Sequence, residues 1–140
     1  MKGDHARGDL GSLTVELVVL TPVVVMFALA TLAFGRVSQA RQQVVEAAQA
    51  GAQAAAVGPN VAEAQRAARA AASAGILASG HTCGNPQISA NVDHFAPGGY
   101  VVVEVTCHVE LSDLLVPGLP GATTVQASST APLDPYRSMP

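Results

Sequence analysis

From Leu17 to Gly35 the chain carries no charged residue. The run LVVLTPVVVMFALATLAFG is 19 residues long, about 28 Å as a helix, close to the roughly 30 Å hydrocarbon thickness of a bilayer. That pattern predicts a transmembrane segment rather than a buried core helix. Pro22 is its one breaker, and inside a lipid-embedded helix a proline removes one backbone hydrogen bond and kinks the rod without ending it. Arg36 closes the apolar run, yet the helical period continues. Val37, Ala40, Val44, Ala48 and Gly51 recur at three- and four-residue spacings, while Arg36, Gln39, Gln43, Glu46 and Gln53 take other positions on the wheel. Gly58-Pro59-Asn60 then breaks the pattern. One helix is therefore predicted from near Ser12 to about Val57, its first half in lipid. A second, Ala-rich helix follows, from Asn60 as N-cap to about Ser79, with Glu63 and Arg66 spaced for a surface pair.

After Gly80 the period changes to two. Ile88, Ala90 and Val92 alternate with Gln87, Ser89, Asn91 and Asp93, and Pro97-Gly98-Gly99 marks a turn. The clearest strand runs from Tyr100 to Leu111. There Val101, Val103, Val105, Cys107, Val109 and Leu111 face one way, and Tyr100, Glu104, Thr106, His108 and Glu110 the other, with Val102 an apolar exception on the polar side. Pro117-Gly118-Leu119-Pro120-Gly121 is a further break, and Thr123 to Ala131 reads as a third, weaker strand. The predicted class is α+β: a long N-terminal transmembrane and amphipathic helix, a second Ala-rich helix, and a small three-stranded antiparallel sheet whose apolar face the helices cover. The tail, 132–140, reads as irregular.

Composition narrows the chemistry. Apolar residues are 49% of the chain but mainly Ala and Val, with no Trp, so side-chain area is scarce and a core built from it is thin. Charged residues are 12%, about half the usual share, and the formal net charge of −3 comes with no run of Lys or Arg. A nucleic-acid binder needs a concentrated basic face, so that class is set aside. Phosphate-cradling loops, nucleotide fingerprints and paired carboxylates in a plausible cleft are missing from the sequence; no enzyme activity, cofactor or small-molecule substrate is expected. Glu104 and Glu110 read as solvated charges.

Cys83 and Cys107 admit three readings: a disulfide, a metal pair or two buried thiols. A bridge closes a loop of about 25 residues and stabilises by roughly 3 kcal/mol on the loop-entropy estimate, a large contribution to a thin core. A metal set of His81, Cys83, Cys107 and His108 has the right donors. However, Cys107 and His108 are strand neighbours and point to opposite faces. The disulfide is the expectation carried forward. A Cys-His catalytic pair lacks an orienting carboxylate.

The chemistry that decides function lies at the N-terminus. Gly11-Ser12 precedes Glu16, which directly precedes the apolar run. Counted from Ser12, Glu16 is the fifth residue. This arrangement resembles the processing site of type IV pilins and pseudopilins, in which a membrane-embedded prepilin peptidase cuts after the glycine. Physically, a new amine at Ser12 and a carboxylate one turn away can neutralise N-termini, most usefully that of a neighbouring subunit. A carboxylate costs up to about 3 kcal/mol at the centre of a membrane helix and less near its ends, so the apolar run outweighs Glu16 while the carboxylate still calls for a partner.

Further residues sharpen the resemblance: Val15-Glu16, Pro22, Phe34-Gly35-Arg36, Arg41-Gln42-Gln43, and the small-residue run from Glu46 through Gly51-Ala52 to Ala55-Ala56-Val57 follow one another in order. From about Arg7 to Val57 the chain resembles the TadE-like family, pseudopilins of the tight-adherence (Flp pilus) systems. Departures are Leu17 where Phe is usual, Ala33 where Glu is common and Gln53 where Arg is common; none touches Gly11, Ser12 or Glu16. The resemblance implies a minor pilin-like component or assembly factor of a Tad pilus or related secretion machine. Its partners would be membrane lipid, prepilin peptidase, other pilin or pseudopilin subunits and Tad assembly proteins. Pro22 would be either a filament-related kink or simply a tolerated breaker.

The expected organisation is a polar leader at 1–11 that is cleaved off, a transmembrane segment at 12–35, a helix continuation at 36–57, a second helix at 58–80, a small β domain at 81–131 and the tail at 132–140. Basic residues flank the span on both sides (Lys2 and Arg7 before it, Arg36 and Arg41 after it), so charge does not orient it. The resemblance and the cysteines imply a single-pass protein of the cell membrane with its C-terminal part extracytoplasmic, with incorporation in a pilus as one outcome. Competing readings are an uncleaved, membrane-anchored extracytoplasmic binding module and, more remotely, a membrane-tethered enzyme or metal protein. A secretory signal peptide, with Ala28-Leu29-Ala30 as a cleavage site, fits poorly. Glu16 abuts the apolar run, and the helical pattern continues beyond Arg36.

Overall fold

The computed structural model describes residues 8–80, 83–110 and 121–138, with side chains described from Val15 onward. Helix α1 spans Gly8–Ala56. It is followed by α2 (Val61–Ala78), β1 (Gly84–Asn91), β2 (Tyr100–Glu110) and β3 (Ala122–Pro132). This is the α+β architecture expected from the pattern. Contacts divide the chain into two units, Met1–Phe34 and Gly35–Pro140.

In the first unit, α1 exposes its large side chains on all sides. Val18 is 68%, Phe27 72% and Phe34 77% exposed. A water-soluble surface rarely presents so continuous an apolar patch, and the helix is long and apolar enough to cross a membrane. Pro22 lies inside it. A proline at this position leaves the Val18 carbonyl without its helical donor. The Thr21 hydroxyl donates to the adjacent Leu17 carbonyl at 2.6 Å, and Thr31 donates to Ala28 O at 2.7 Å. Such bonds to helix carbonyls satisfy the hydroxyls themselves within the apolar run.

In the second unit, a helical hairpin covers a three-stranded antiparallel sheet of order β1-β2-β3. Asn60 caps α2, its side chain accepting from the Glu63 N–H at 2.9 Å, and Arg66 pairs with Glu63 at 2.5 Å. Gly80, at φ 88°, follows the C-cap Ser79 in the left-handed conformation that glycine allows at a helix end. The hairpin is held by small residues. Ala64, Ala68 and Ala72 of α2 are fully buried, as are Ala40, Val44, Ala48 and Ala55 of α1. A methyl group at Gly51 would lie 3.0 Å from Val103 Cγ1, 3.1 Å from Ala68 O and 3.2 Å from Ala72 Cβ. The missing side chain is therefore what lets α1, α2 and β2 meet.

β2 is the central strand and alternates as its sequence predicts. Val101, Val103, Val105, Cys107 and Val109 are buried and Val102, Glu104, Thr106 and His108 half-exposed. Leu111, expected to extend the apolar row, lies outside the described residues, as does the 117–120 part of the expected break. β1 begins earlier than its alternation suggested. Its register against β2 shifts between Gly84 and Gln87, where Asn85 adopts φ 46° and Pro86 follows. This is a bulge on an edge strand, where proline is tolerated. The tail has no regular structure after Pro132, but it is anchored. Leu133 is 3% exposed in the core and its N–H donates to Gly99 O at 2.8 Å.

Candidate functional site

Gly11 and Ser12 lie in the first turns of α1, and their side chains are outside the described residues, as is the leader from 1 to 7. Glu16 sits one turn beyond Ser12, exposed, on a shallow apolar groove it shares with Val15, Val19, Leu20 and Val23. Among the described residues no cation pairs with it; the one salt bridge there joins Arg66 and Glu63. Pro22 follows six residues on, below the same apolar surface. A carboxylate beside an apolar surface is costly to desolvate unless a positive group pairs with it.

Comparison with known families bears on this segment. Residues 11–53 match the family model of TadE, the TadE-like proteins. Over this stretch, less than a third of its length, the chain is similar to that family. The matched region starts at Gly11 and includes Glu16, Pro22 and the glutamine- and alanine-rich part of α1, and the family is a structural, pilus-associated one. α2 and the sheet lie beyond the match. No curated protein and no solved structure matches the chain.

Outside the TadE-like segment, the structure joins Cys83 and Cys107 in a disulfide with a Cα–Cα distance of 5.4 Å. Cys107 is buried on the apolar face of β2 and Cys83 is packed half-buried against the core. The bridge thus ties the entrance of β1 to the central strand. With both sulfurs joined, neither is available as a thiolate ligand. His108 lies on the other face of β2, 3.1 Å from the Thr124 hydroxyl; His81 is outside the described residues. Glu104, expected as a solvated charge, accepts a hydrogen bond from the Gln126 amide across the sheet.

One residue of structural weight was not singled out from the sequence. Arg137 in the tail donates from Nη1 to Ala56 O at 2.5 Å and from Nη2 to Gly58 O. Its guanidinium also lies 5.7 Å from the centroid of the Phe95 ring. α1 has no basic residue in its last turn, so its terminal carbonyls need a donor from elsewhere. That lack was the available signal; which residue supplied the donor was not readable across 81 positions of sequence.

Proposed function

We propose that this chain is a minor pseudopilin of a Tad (Flp) type IV pilus or a related secretion machine. The precursor enters the membrane through its apolar run. Prepilin peptidase cuts between Gly11 and Ser12, and the mature helix packs laterally against other pilin-like subunits. The Ser12 amine and Glu16 set the electrostatic register of that packing, Glu16 facing the N-terminus of a neighbour, and Pro22 bends the helix to fit. The Cys83–Cys107 disulfide supports an extracytoplasmic location for the second unit, because such bridges persist in oxidising compartments. The observation that carries the reading is the exposed Glu16 carboxylate at the head of a TadE-like apolar helix.

The mass of the membrane-extracted protein is the test. A chain beginning at Ser12 is expected in cells that contain the peptidase, and the full leader in cells that lack it. A Met1 terminus in both overturns the reading and leaves an uncleaved anchor carrying a binding module. Replacing Glu16 by Gln keeps size and shape while removing the charge. Cleavage is expected to persist and recruitment into the assembly to fall, read by co-purification with the other subunits.

A further inference from the structure

The two free edges of the sheet are built differently. β1 is interrupted between Gly84 and Gln87, holds Asn85 at φ 46° and carries Pro86. A bulge and a proline are means by which edge strands resist pairing with other chains. β3 has none of these. Its register with β2 is unbroken from Ala122 to Pro132, it has no charged residue, and its proline is the last residue. Among the described residues no backbone hydrogen bond reaches β3 from outside the sheet, so none of them occupies its outer row of N–H and C=O groups.

We propose that β3 is a strand-addition edge whose occupant is β3 of a second copy of this chain, paired antiparallel about a two-fold axis. The asymmetry of the edges selects this arrangement. Pairing β3 of one copy with β1 of the next would generate an open-ended sheet, and the bulge at β1 blocks it. Pairing β3 with itself closes after two copies. The uncharged strand meets its copy without repulsion. With Ala127 opposite Ala127, Thr124 falls opposite Thr130, a favourable hydroxyl pairing across antiparallel strands. Both threonines are exposed, and the Thr124 hydroxyl also meets His108 Nδ1 on the neighbouring strand at 3.1 Å. This pairing does not depend on cleavage at Gly11 and applies equally to a processed or an uncleaved chain.

The test uses the full chain in detergent, with sedimentation and chemical cross-linking to measure dimerisation. The double variant T124K/T130K sets lysine opposite lysine twice, and T124E/T130E does the same with glutamate. Each alone is expected to weaken the dimer by about tenfold or more, and an equimolar mixture to recover it as a mixed dimer. Recovery on mixing also shows that both variants are folded. A wild-type chain that stays monomeric overturns the proposal. So does a dimer whose affinity neither substitution changes, since that dimer is held elsewhere.

Discussion

Phe27 and Phe34 are 72% and 77% exposed, whereas Ala40, Val44 and Ala48 are fully buried, although all five belong to one helix. The two stretches of α1 invert the usual relation between size and burial. Before Gly35 the largest apolar side chains point outward, because the solvent expected there is lipid, which receives them without cost. After Gly35 the buried positions are mostly Ala and Gly. These contribute little area each but let backbones approach closely, as at Gly51 against Ala68 and Val103. Stability in the second unit therefore comes from proximity and from covalent and hydrogen-bonded ties, and in the first from the medium.

The largest test of that contrast places charge in the apolar run. Leu20→Arg with Val25→Arg adds roughly 5 kcal/mol to the cost of insertion. The expected result is loss of the protein from the carbonate-resistant membrane fraction, with the disulfide still forming in any chain that reaches an oxidising compartment. An Arg at Ala50, exposed on the later part of the same helix, is expected to change stability by less than about 0.5 kcal/mol. Equal loss from both would mean that the two stretches do not face different media.

The second test acts only on the other unit. Cys83→Ser with Cys107→Ser removes the tie between β1 and β2 and is expected to cost about 3 kcal/mol. It would be read as a lower unfolding midpoint in detergent and faster hydrogen exchange of β2 amides. Membrane insertion should not change, because the apolar run is untouched. A smaller loss is expected from Arg137→Ala, on the order of 2 kcal/mol, since two carbonyls at the end of α1 lose a charged donor and Phe95 loses its cation. Hydrogen exchange localised to Ala55–Gly58 would distinguish this from general unfolding.

The sequence made much of this legible, and the reasons are specific. The alternation from Val101 to Val109 is a single-period signal nearly as long as β2, so the central strand was readable directly, and the uncharged run from Leu17 to Gly35 marked the part of α1 apolar enough to cross a membrane. Asn60 before an Ala-rich run located the start of α2 because the cap is a local interaction. The β1 bulge was not readable, since the alternation begins only at Gln87 and it is pairing with β2 that draws Gly84 into the sheet. The tail was expected to be irregular from Pro132, but β3 includes that residue, and the anchoring by Leu133 and Arg137 depends on surfaces formed by distant segments. At the candidate site, Gly11, Ser12, Glu16 and Pro22 could be singled out because they lie close together along the chain. The partners proposed for them are other molecules, which the sequence of one chain does not specify.

The finest test compares two glycines of α1. At Gly51 an added methyl meets Val103, the Ala68 carbonyl and Ala72 within 3.2 Å. Two of these belong to α2, and one is backbone that cannot rotate away. At Gly35 an added methyl meets nothing within 4 Å, so the substitution only restricts the unfolded chain and favours the helix. Gly51→Ala is therefore expected to destabilise by about 1 kcal/mol through overpacking, and Gly35→Ala to stabilise by about 0.5–1 kcal/mol through backbone entropy. The same chemical change in the same helix should shift the unfolding midpoint in opposite directions. If both stabilise, the helices have room to separate at Gly51, and close approach is not what holds the hairpin to the sheet.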